Sequence, residues 1–421
     1  MRCPTPSANA TLLSSSEAYM PQRFPSLARS LGALLGLALL APASPARAQA
    51  LGVTDGEVLF GMSAPFSGSA RELGRQMKVG VELAFTAAND AGGVAGRRLR
   101  LVALDDGYEP PRALAAVKEL IDHRKVFGIV GSVGTPTTAA ALPYALEKQT
   151  LFFGAFTGAR LLRNDPPDRF VFNFRASYAE ETAAVVRHLV EVRRFKPSQI
   201  AVFAQEDAFG DAGFEGVAKM MRRYRYDPAH VLRVGYKRNT QDVAEAVRSV
   251  KASGPRLKAV VMVATYKAAA KFIEKVKDGG APLVFTNVSF VGSNELAEEL
   301  TPLGARFADG VIVTQVVPLP TSSASAILKY KDLLSRHAPG ERPDFVSLEG
   351  YIAGTLLVDG LKRAGKNLTT DSLIDGLEGI HGLDLGIGVP LSYGPSEHQA
   401  SHKVWGTVLD GGGVYHNLDL E

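Results

Sequence analysis

Short apolar segments alternate with longer amphipathic segments along most of this 421-residue sequence. Apolar runs of about four to eight residues are typical of strands buried on both faces, and the intervening segments have the apolar spacing of helices. One series runs from Val58 to Phe153 and a second from Phe170 to Thr314. Because such alternation builds parallel sheets covered by helices, the sequence predicts an α/β fold with two doubly wound parallel-sheet lobes.

The N-terminal segment has the order of a secretory signal. Two arginines precede an apolar stretch from Leu31 to Leu40, and Ala46 to Ala48 fits a small-x-small cleavage pattern. The apolar stretch is too short to cross a bilayer, which takes about 20 residues. We expect cleavage after Ala48 and a periplasmic protein, with translation starting at Met1 or Met20.

Charge and cysteine content exclude several classes of function. The formal net charge is +4, but residues 1–48 carry four arginines and one glutamate, so the remainder is nearly neutral. We therefore expect no nucleic-acid partner, since such partners need a basic surface. The one cysteine, Cys3, lies in the leader, which excludes disulfides, thiolate metal sites and cysteine nucleophiles from the mature chain.

Ligands of open α/β sheets bind beyond the carboxyl ends of the strands. Applied to both series, this rule selects seven loops: residues 63–74, 132–137 and 155–159 in the first series, and residues 175–178, 205–210, 264–266 and 287–292 in the second.

These loops carry no motif of catalysis or cofactor binding. Three glycines within residues 210–216 have GxxGxxG spacing, not the GxGxxG of dinucleotide sites. No serine lies in a GxSxG elbow, and no histidine falls in the selected loops. His398 and His402 are four residues apart, but Pro395 favours a turn over a helical metal site. We expect no enzyme, cofactor or metal.

The stretch SVGTPTTAAALP, from Ser132 to Pro143, places hydroxyl residues at the start of an alanine-rich helix. A helix N-terminus offers unpaired N–H groups and a positive dipole end, which favour a carboxylate. Ser132, Thr135 and Thr137 can add hydrogen bonds, although Ser and Thr are also ordinary helix caps. A second small, hydroxyl-containing loop follows at 154–159. This pattern indicates reversible capture of a small molecule.

Several motifs extend this interpretation to the whole mature chain: GMSAPFSG at 61–68, GSVGTPTT at 131–138, FGAFTGARLLR at 153–163, AQEDAFGDAG at 204–213, FTNVSFVGS at 285–293, ADGVIVTQVVP at 308–318 and SLEGYIAGTLLVDGLKRAG at 347–365. In order and spacing they resemble the periplasmic solute-binding proteins of ABC importers, of the branched-chain amino-acid (Leu/Ile/Val) type.

The resemblance implies the type I periplasmic binding fold, in which a three-crossing hinge joins two lobes. Residues 1–48 would be the leader. Lobe 1 would comprise residues 49–174 plus 316–398, and lobe 2 residues 175–315 plus 399–421. The crossings would fall near 174–176, 314–317 and 398–402.

The same resemblance implies that a ligand binds between the lobes and that closure buries it. The closed complex would dock on membrane permease subunits of an ABC importer, and we expect a monomer. The alternative is a ligand sensor of the same fold that signals to a membrane receptor or regulator.

The resemblance also assigns residues. Thr135 matches the hydroxyl that holds the ligand carboxylate, and Thr157 the hydroxyl that helps bind the α-ammonium. Phe209 and Tyr266 match aromatic positions of the second lobe, and Leu73 lies in the first lobe's lid loop. Together with the strand-end loops, this predicts twelve ligand-binding residues: Leu73, Ser132, Thr135, Phe156, Thr157, Gly158, Tyr178, Asp207, Phe209, Tyr266, Ser289 and Phe290.

One position departs from the amino-acid binders. Where they place an acid against the ligand ammonium, this chain has NVSF at 287–290, with Ser289 as the counterpart. A desolvated ammonium without a counter-charge costs on the order of several kcal/mol. Asp207 is a second source of that charge. We therefore expect a small carboxylate-bearing ligand, either amino-acid-like or an aromatic or branched acid.

Overall fold

The computed structural model describes residues 50–280 and 282–421, and the predicted leader lies outside them. Twelve strands occur in this part of the chain: β1 (Glu57–Ala64), β2 (Arg98–Asp105), β3 (Gly128–Val130), β4 (Leu151–Phe153), β5 (Val171–Phe172), β6 (Ile200–Gln205), β7 (Arg233–Tyr236), β8 (Ala259–Val263), β9 (Val284–Asn287), β10 (Ile312–Gln315), β11 (Trp405–Leu409) and β12 (Tyr415–Leu418).

The same residues form twelve α-helices: α1 (Arg71–Asp90), α2 (Pro110–Lys118), α3 (Thr135–Glu147), α4 (Tyr178–Arg187), α5 (Ala208–Arg223), α6 (Ala244–Ala252), α7 (Tyr266–Lys277), α8 (Ser293–Leu300), α9 (Ala305–Ala308), α10 (Ser325–His337), α11 (Phe345–Ala364) and α12 (Thr370–Glu378). None of these described helices combines the length and apolar character needed to span a membrane.

The strands form two sheets, one of five and one of seven strands. The first has the order β2-β1-β3-β4-β5, and the second has the order β12-β11-β10-β9-β8-β6-β7. All pairs from β1 to β10 are parallel, and β11 and β12 add an antiparallel edge. The predicted pair of doubly wound lobes is confirmed, with this edge as an addition. We call the elements around the two sheets the first lobe and the second lobe.

Alternating side chains explain why the first sheet is covered on both faces. Ile129, Phe152 and Val171 belong to the apolar cluster beneath α2 and α3. The residues that follow them in β3, β4 and β5 belong to the main core on the opposite face. Successive strand residues point to opposite faces of the sheet. A strand of continuous apolar residues is therefore buried only where helices cover both faces. On the main-core face, α1 packs along α11.

The sequence-based boundaries differ from the structure in a few places. The sequence also predicts a short strand near 388–392, and this prediction is wrong: among the described residues only an isolated bridge joins Leu383 and Leu391 there. Helix α12 and strand β12 were not predicted. β12 carries the polar residues His416 and Asn417, which an edge strand tolerates but which break the apolar run used to recognise strands.

The chain passes between the lobes after β5, after β10 and before β11. The first and third passages run side by side, because Asn173 N donates to His398 O at 2.7 Å and Ser401 N to Phe174 O at 3.0 Å. These passages lie where the hinge crossings were expected. Two hydrogen-bonded extended segments form a narrow junction, which is a suitable place for hinge rotation. The lobe boundaries themselves stay a prediction.

The contact between α1 and α11 is close enough to require glycine at Gly80. A methyl group at this position would lie 2.0 Å from the carbonyl oxygen of Ser347 and 2.7 Å from the amide nitrogen of Tyr351. Both are backbone atoms of α11, so they cannot move aside as a side chain can. Glycine therefore sets the distance between these two helices.

We predict that Gly80→Ala lowers the free energy of unfolding by about 1–3 kcal/mol, because overpacking outweighs the gain in helix propensity. Urea unfolding of the variant measures this change. Gly340→Ala is the control, since a methyl group there meets nothing within 4 Å. Equal stability of the two variants would contradict the proposed role of Gly80.

Candidate functional site

The first part of the site is the loop between β3 and α3. Its backbone turns at Gly134, with φ of 103°, and a methyl group there would lie 2.3 Å from the Tyr108 ring. The turn starts α3 at Thr135, whose Oγ1 is 2.7 Å from Oγ1 of Thr157. Ser132 Oγ is buried and has no hydrogen-bond partner among the described residues. The loop therefore presents one unpaired hydroxyl beside a threonine pair.

Thr137, which the sequence also offered as a ligand contact, has another role. Its Oγ1 donates back to the carbonyl of Val133 at 2.6 Å. This bond satisfies the hydroxyl within its own helical turn, as is common for threonine near a helix start. Thr137 therefore holds the loop in shape, whereas Ser132 and Thr135 remain the polar groups of interest.

The second part is the loop after β4. Phe156 N donates to Ser132 O at 2.8 Å, which ties the two loops together. Gly158 follows, and a methyl group there would lie 2.6 Å from Tyr178 N. This close approach brings Tyr178, the first residue of α4 in the second lobe, against the first-lobe loop. Its hydroxyl has no hydrogen-bond partner among the described residues, although Thr157 is a neighbour.

An aromatic cluster joins the two lobes around Phe290. The ring centroid of Phe290 lies 4.7 Å from Phe209 and 5.0 Å from Phe156, and 6.2 Å from both Tyr108 and Tyr178. Phe156 and Tyr108 belong to the first lobe, and the other three rings belong to the second. All five rings are buried. We define these five residues as the aromatic cluster, and in this conformation it closes the cleft.

The outer side of the cleft is formed by Leu73 and Tyr266. A methyl group on Gly292 would lie 2.7 Å from Leu73 Cδ2 and 3.5 Å from Tyr266 Cδ1, so Leu73 of the first lobe packs on the second lobe here. Beyond them lies a polar cavity of about 510 Å³, which Tyr266 also lines. The predicted lid position therefore does lie at the junction of the lobes.

Ser289 does not face the cleft as a free group. Its amide N donates to Glu181 Oε2 at 2.8 Å and its Oγ donates to Glu181 Oε1 at 3.0 Å. The guanidinium of Arg175 donates to the same Oγ and, at 3.0 Å, to Glu181 Oε1. Arg175 is only 1% exposed. The position expected to face an ammonium is therefore bonded to a buried cation.

Asp207 is also already paired. Its Oδ1 caps α5 by accepting from Phe209 N at 3.0 Å, and its Oδ2 accepts from Gln205 Nε2 at 2.8 Å. Arg238 reaches the same Oδ2 at 3.1 Å. A carboxylate that already accepts from three donors has about one lone-pair site left for a ligand ammonium.

Arg238 and Asn239 of the second lobe also bind the first lobe. Arg238 lies 2.9 Å from Glu109 Oε2, and Asn239 donates to Glu109 Oε1 at 2.7 Å and to Gly107 O at 3.1 Å. Burial opposes ionisation of Glu109, but these two partners outweigh it and lower its pKa. We call this set of contacts the latch, because it holds the lobes together at the edge of the aromatic cluster.

The third hinge passage carries its own polar contacts. His402 Nδ1 lies 2.7 Å from Glu180 Oε1, and Gln399 accepts from Arg163 Nε at 2.6 Å. Burial opposes ionisation of Glu180, but hydrogen bonds with His402 and Ser177 lower its pKa to about 2. These contacts join α4 to the returning chain. Among the described residues no cluster of acidic, His or Cys side chains is suited to hold a metal ion.

The structure brings eleven of the twelve predicted residues into one buried region, and Asp207 is half-buried at its edge. Their role in binding stays a prediction. Sequence reasoning missed Tyr108, Arg175, Arg238 and Glu109. Tyr108 follows the carboxyl end of β2, so the strand-end rule could have found it; Arg175 lay in a selected loop but was not chosen.

Two hinged α/β lobes with a polar and aromatic cleft between them define a ligand-binding protein. The sequence profile of the family described as periplasmic binding protein matches residues 57–413, and the chain belongs to this family. The resemblance found in the sequence is thereby confirmed. Family membership implies an extracytoplasmic location, and it confirms the expectation that the chain is a binding protein and not an enzyme.

Known proteins similar to this chain agree with that assignment. The crystal structure of a possible leucine/isoleucine/valine-binding protein from Rhodopirellula baltica is 39% identical, with a TM-score of 0.82 over 87% of this chain and 97% of that one. An amino acid binding protein of Pseudomonas aeruginosa is 24% identical over 74% of this chain and 80% of its own length. A Leu/Ile/Val-binding protein homolog of Brucella abortus is 22% identical over 75% and 81%.

We predict that Glu109→Gln weakens the latch and opens the cleft of the ligand-free protein. The ratio of closed to open molecules should fall about two- to fivefold, as expected for a partly exposed ion pair. Small-angle X-ray scattering should then give a larger radius of gyration than for the wild type. Glu119→Gln is the control, since it removes an ion pair of 3.0 Å with Arg124 inside the first lobe. Identical scattering of both variants would contradict a latch.

Proposed function

We propose that this chain is the solute-binding component of an ABC importer and that it captures a small carboxylate-bearing ligand between its lobes. In this proposal the leader is cleaved after Ala48 and the mature chain works in the periplasm. The order of the N-terminal sequence supports the cleavage site. The name of the 39%-identical relative supports a ligand of amino-acid-like size.

One observation carries the proposal: the first-lobe loops that hold Ser132, Thr135 and Thr157 meet aromatic rings of the second lobe in a buried region. Ser132 Oγ has no hydrogen-bond partner among the described residues. Thr135 Oγ1 lies 2.7 Å from Thr157 Oγ1, which also accepts from Ala159 N at 3.3 Å. A buried hydroxyl without a partner costs about 1–3 kcal/mol, so a site that keeps one is suited to gain a ligand acceptor. The N-terminus of α3 adds a favourable dipole for a carboxylate.

Capture would proceed by hinge closure. Lobe 1 would comprise residues 49–174 and 316–398, and lobe 2 residues 175–315 and 399–421. A ligand that contacts Thr135 on one side and Phe209 on the other favours the closed state, because only that state allows both contacts. The closed form of a monomer would then bind the membrane permease subunits.

Uptake of a labelled ligand tests the transport role. Cells that encode the protein should lose uptake when its gene is deleted and regain it when the gene is restored. Retained uptake together with loss of a ligand-induced transcriptional or motility response would instead favour the sensor of the same fold.

We predict that Thr135→Val weakens binding of carboxylate ligands by about 1–3 kcal/mol, because the variant keeps the shape of the side chain but loses its hydroxyl. Isothermal titration calorimetry measures the change. Thr137→Val is the control: it removes a hydroxyl from the same helix turn that bonds only to Val133 O and Gly134 O. That variant should lose stability and keep its affinity. Unchanged affinity of Thr135→Val would remove Thr135 from the site.

A further inference from the structure

The carboxylates near the cleft are already paired. Glu181 accepts from Arg175 and Ser289 at Oε1, and from Ser289 N and Thr314 Oγ1 at Oε2, the last at 2.5 Å. Asp207 has three donors, as described above. Each of these acids would have to give up a bond to bind a ligand ammonium. Neither Glu181 nor Asp207 is therefore a free counter-charge for a cationic group.

Asp106, close to Tyr108 in the chain, is also buried and accepts from Ser63 Oγ at 2.7 Å and from Tyr108 N at 2.8 Å. Glu349 of α11 is a further acid near this region. Its Oε1 lies 3.5 Å from Arg175 NH1, and the residue is buried. Burial raises the pKa of Glu349 to about 7, in spite of the nearby Arg175 and Arg163. Glu349 is therefore an ion-pair partner of Arg175, and a ligand ammonium would have to compete with that cation for it.

Arg175 contributes donors in the same place. Its Nε and NH1 have no hydrogen-bond partner among the described residues, although the side chain is 1% exposed. Its guanidinium carbon lies 5.0 Å from the Phe156 ring centroid and 5.4 Å from that of Tyr178, so it borders the aromatic cluster. Burial alone would lower the pKa of Arg175, but Glu349 and Glu181 outweigh burial and raise it. The group is therefore a permanent cation with unused donors.

Two buried hydroxyls complete this set. Within the part of the chain that the structure describes, Ser132 Oγ and Tyr178 OH also have no hydrogen-bond partner, and their residues adjoin Phe156 and Gly158 of the same first-lobe loop. Burial raises the pKa of Tyr178 to about 12, which keeps its hydroxyl protonated. These two hydroxyls and the Nε and NH1 groups of Arg175 thus belong to residues that adjoin the loop of Phe156. Such a donor-rich environment is satisfied by acceptor oxygens and not by an ammonium.

We infer that the cleft selects carboxylic acids whose α-carbon carries an oxo, hydroxyl or hydrogen substituent, and that it rejects the amino acids with the same side chain. The acid oxygens would accept from Arg175, Ser132 and Tyr178, while the side chain packs on the aromatic cluster. An α-ammonium would instead lie near the Arg175 cation without a free carboxylate. This inference rests on the proposed function, because it assumes that the cleft binds a small carboxylate.

Matched ligand pairs test the inference on the mature wild-type chain. Calorimetry compares 4-methyl-2-oxopentanoate with leucine, and phenylpyruvate with phenylalanine, since each pair shares its carbon skeleton and carboxylate. We expect the oxo acid of at least one pair to bind tenfold or more tighter than its amino acid. Equal or tighter binding of the amino acids would overturn the inference and leave the proposed function intact. Binding of neither class to the folded protein would overturn both.

Arg175→Lys tests the role of the guanidinium. The variant keeps a cation beside Glu181 but lacks the Nε and NH1 donors, so affinity for the preferred oxo acid should fall tenfold or more. Arg187→Lys is the control. Arg187 is the last residue of α4, its side chain is 38% exposed, and the variant should keep the affinity. Undiminished binding by Arg175→Lys would exclude Arg175 as a ligand contact. If that variant does not fold, the matched pairs on the wild type still decide the ligand class.

Discussion

A guanidinium group can be removed from water only where carboxylates and other acceptors surround it, and Arg175 imposes this requirement on the junction of the two lobes. It stands at the first passage between the sheets. Glu181 comes from α4 of the second lobe, Glu349 from α11 of the first, and Ser289 from the loop after β9. The neighbouring helix α4 and two distant parts of the chain must therefore come together around one cation. The same arrangement determines which charges remain available to a ligand.

The aromatic cluster is the apolar counterpart of this network. Rings of both lobes surround Phe290, and the hydroxyls of Ser132 and Tyr178 have no hydrogen-bond partner among the described residues. Apolar contact favours closure but does not discriminate between ligands, and in our proposal these hydroxyls supply the chemical preference. A binding protein needs both properties, since closure must depend on occupancy. The latch at Glu109 lies at the edge of this region, where a small difference in energy can shift the balance between open and closed forms.

Strand–helix alternation was sufficient to predict the two lobes, because buried parallel strands require continuous apolar runs such as Val260 to Val263. It could not predict β12, which carries polar residues at a sheet edge. The strand-end rule depends on chain direction alone, and it selected the loops around Thr135, Thr157 and Phe209, which the structure places at the junction of the lobes. Their role in ligand binding stays a prediction. The ion-pair and hydrogen-bond partners of Arg175 could not be predicted in that way. Its partners Ser289 and Glu349 lie 114 and 174 positions away, and pairings over such distances depend on tertiary structure that periodicity does not encode.

Closure on a carboxylate ligand is the central claim, and a distance between the lobes measures it most directly. The only cysteine of the sequence is Cys3, so a chain that begins at Gln49 can be labelled at introduced cysteines alone. Spin labels at the exposed positions Ala115 on α2 and Glu245 on α6 report on the first and second lobes. Pulsed electron–electron double resonance should show a broad distance distribution without ligand. It should show a single, narrow distribution when the carboxylic acid that the protein binds is present at saturation. An unchanged distribution under conditions where calorimetry detects binding would contradict the account.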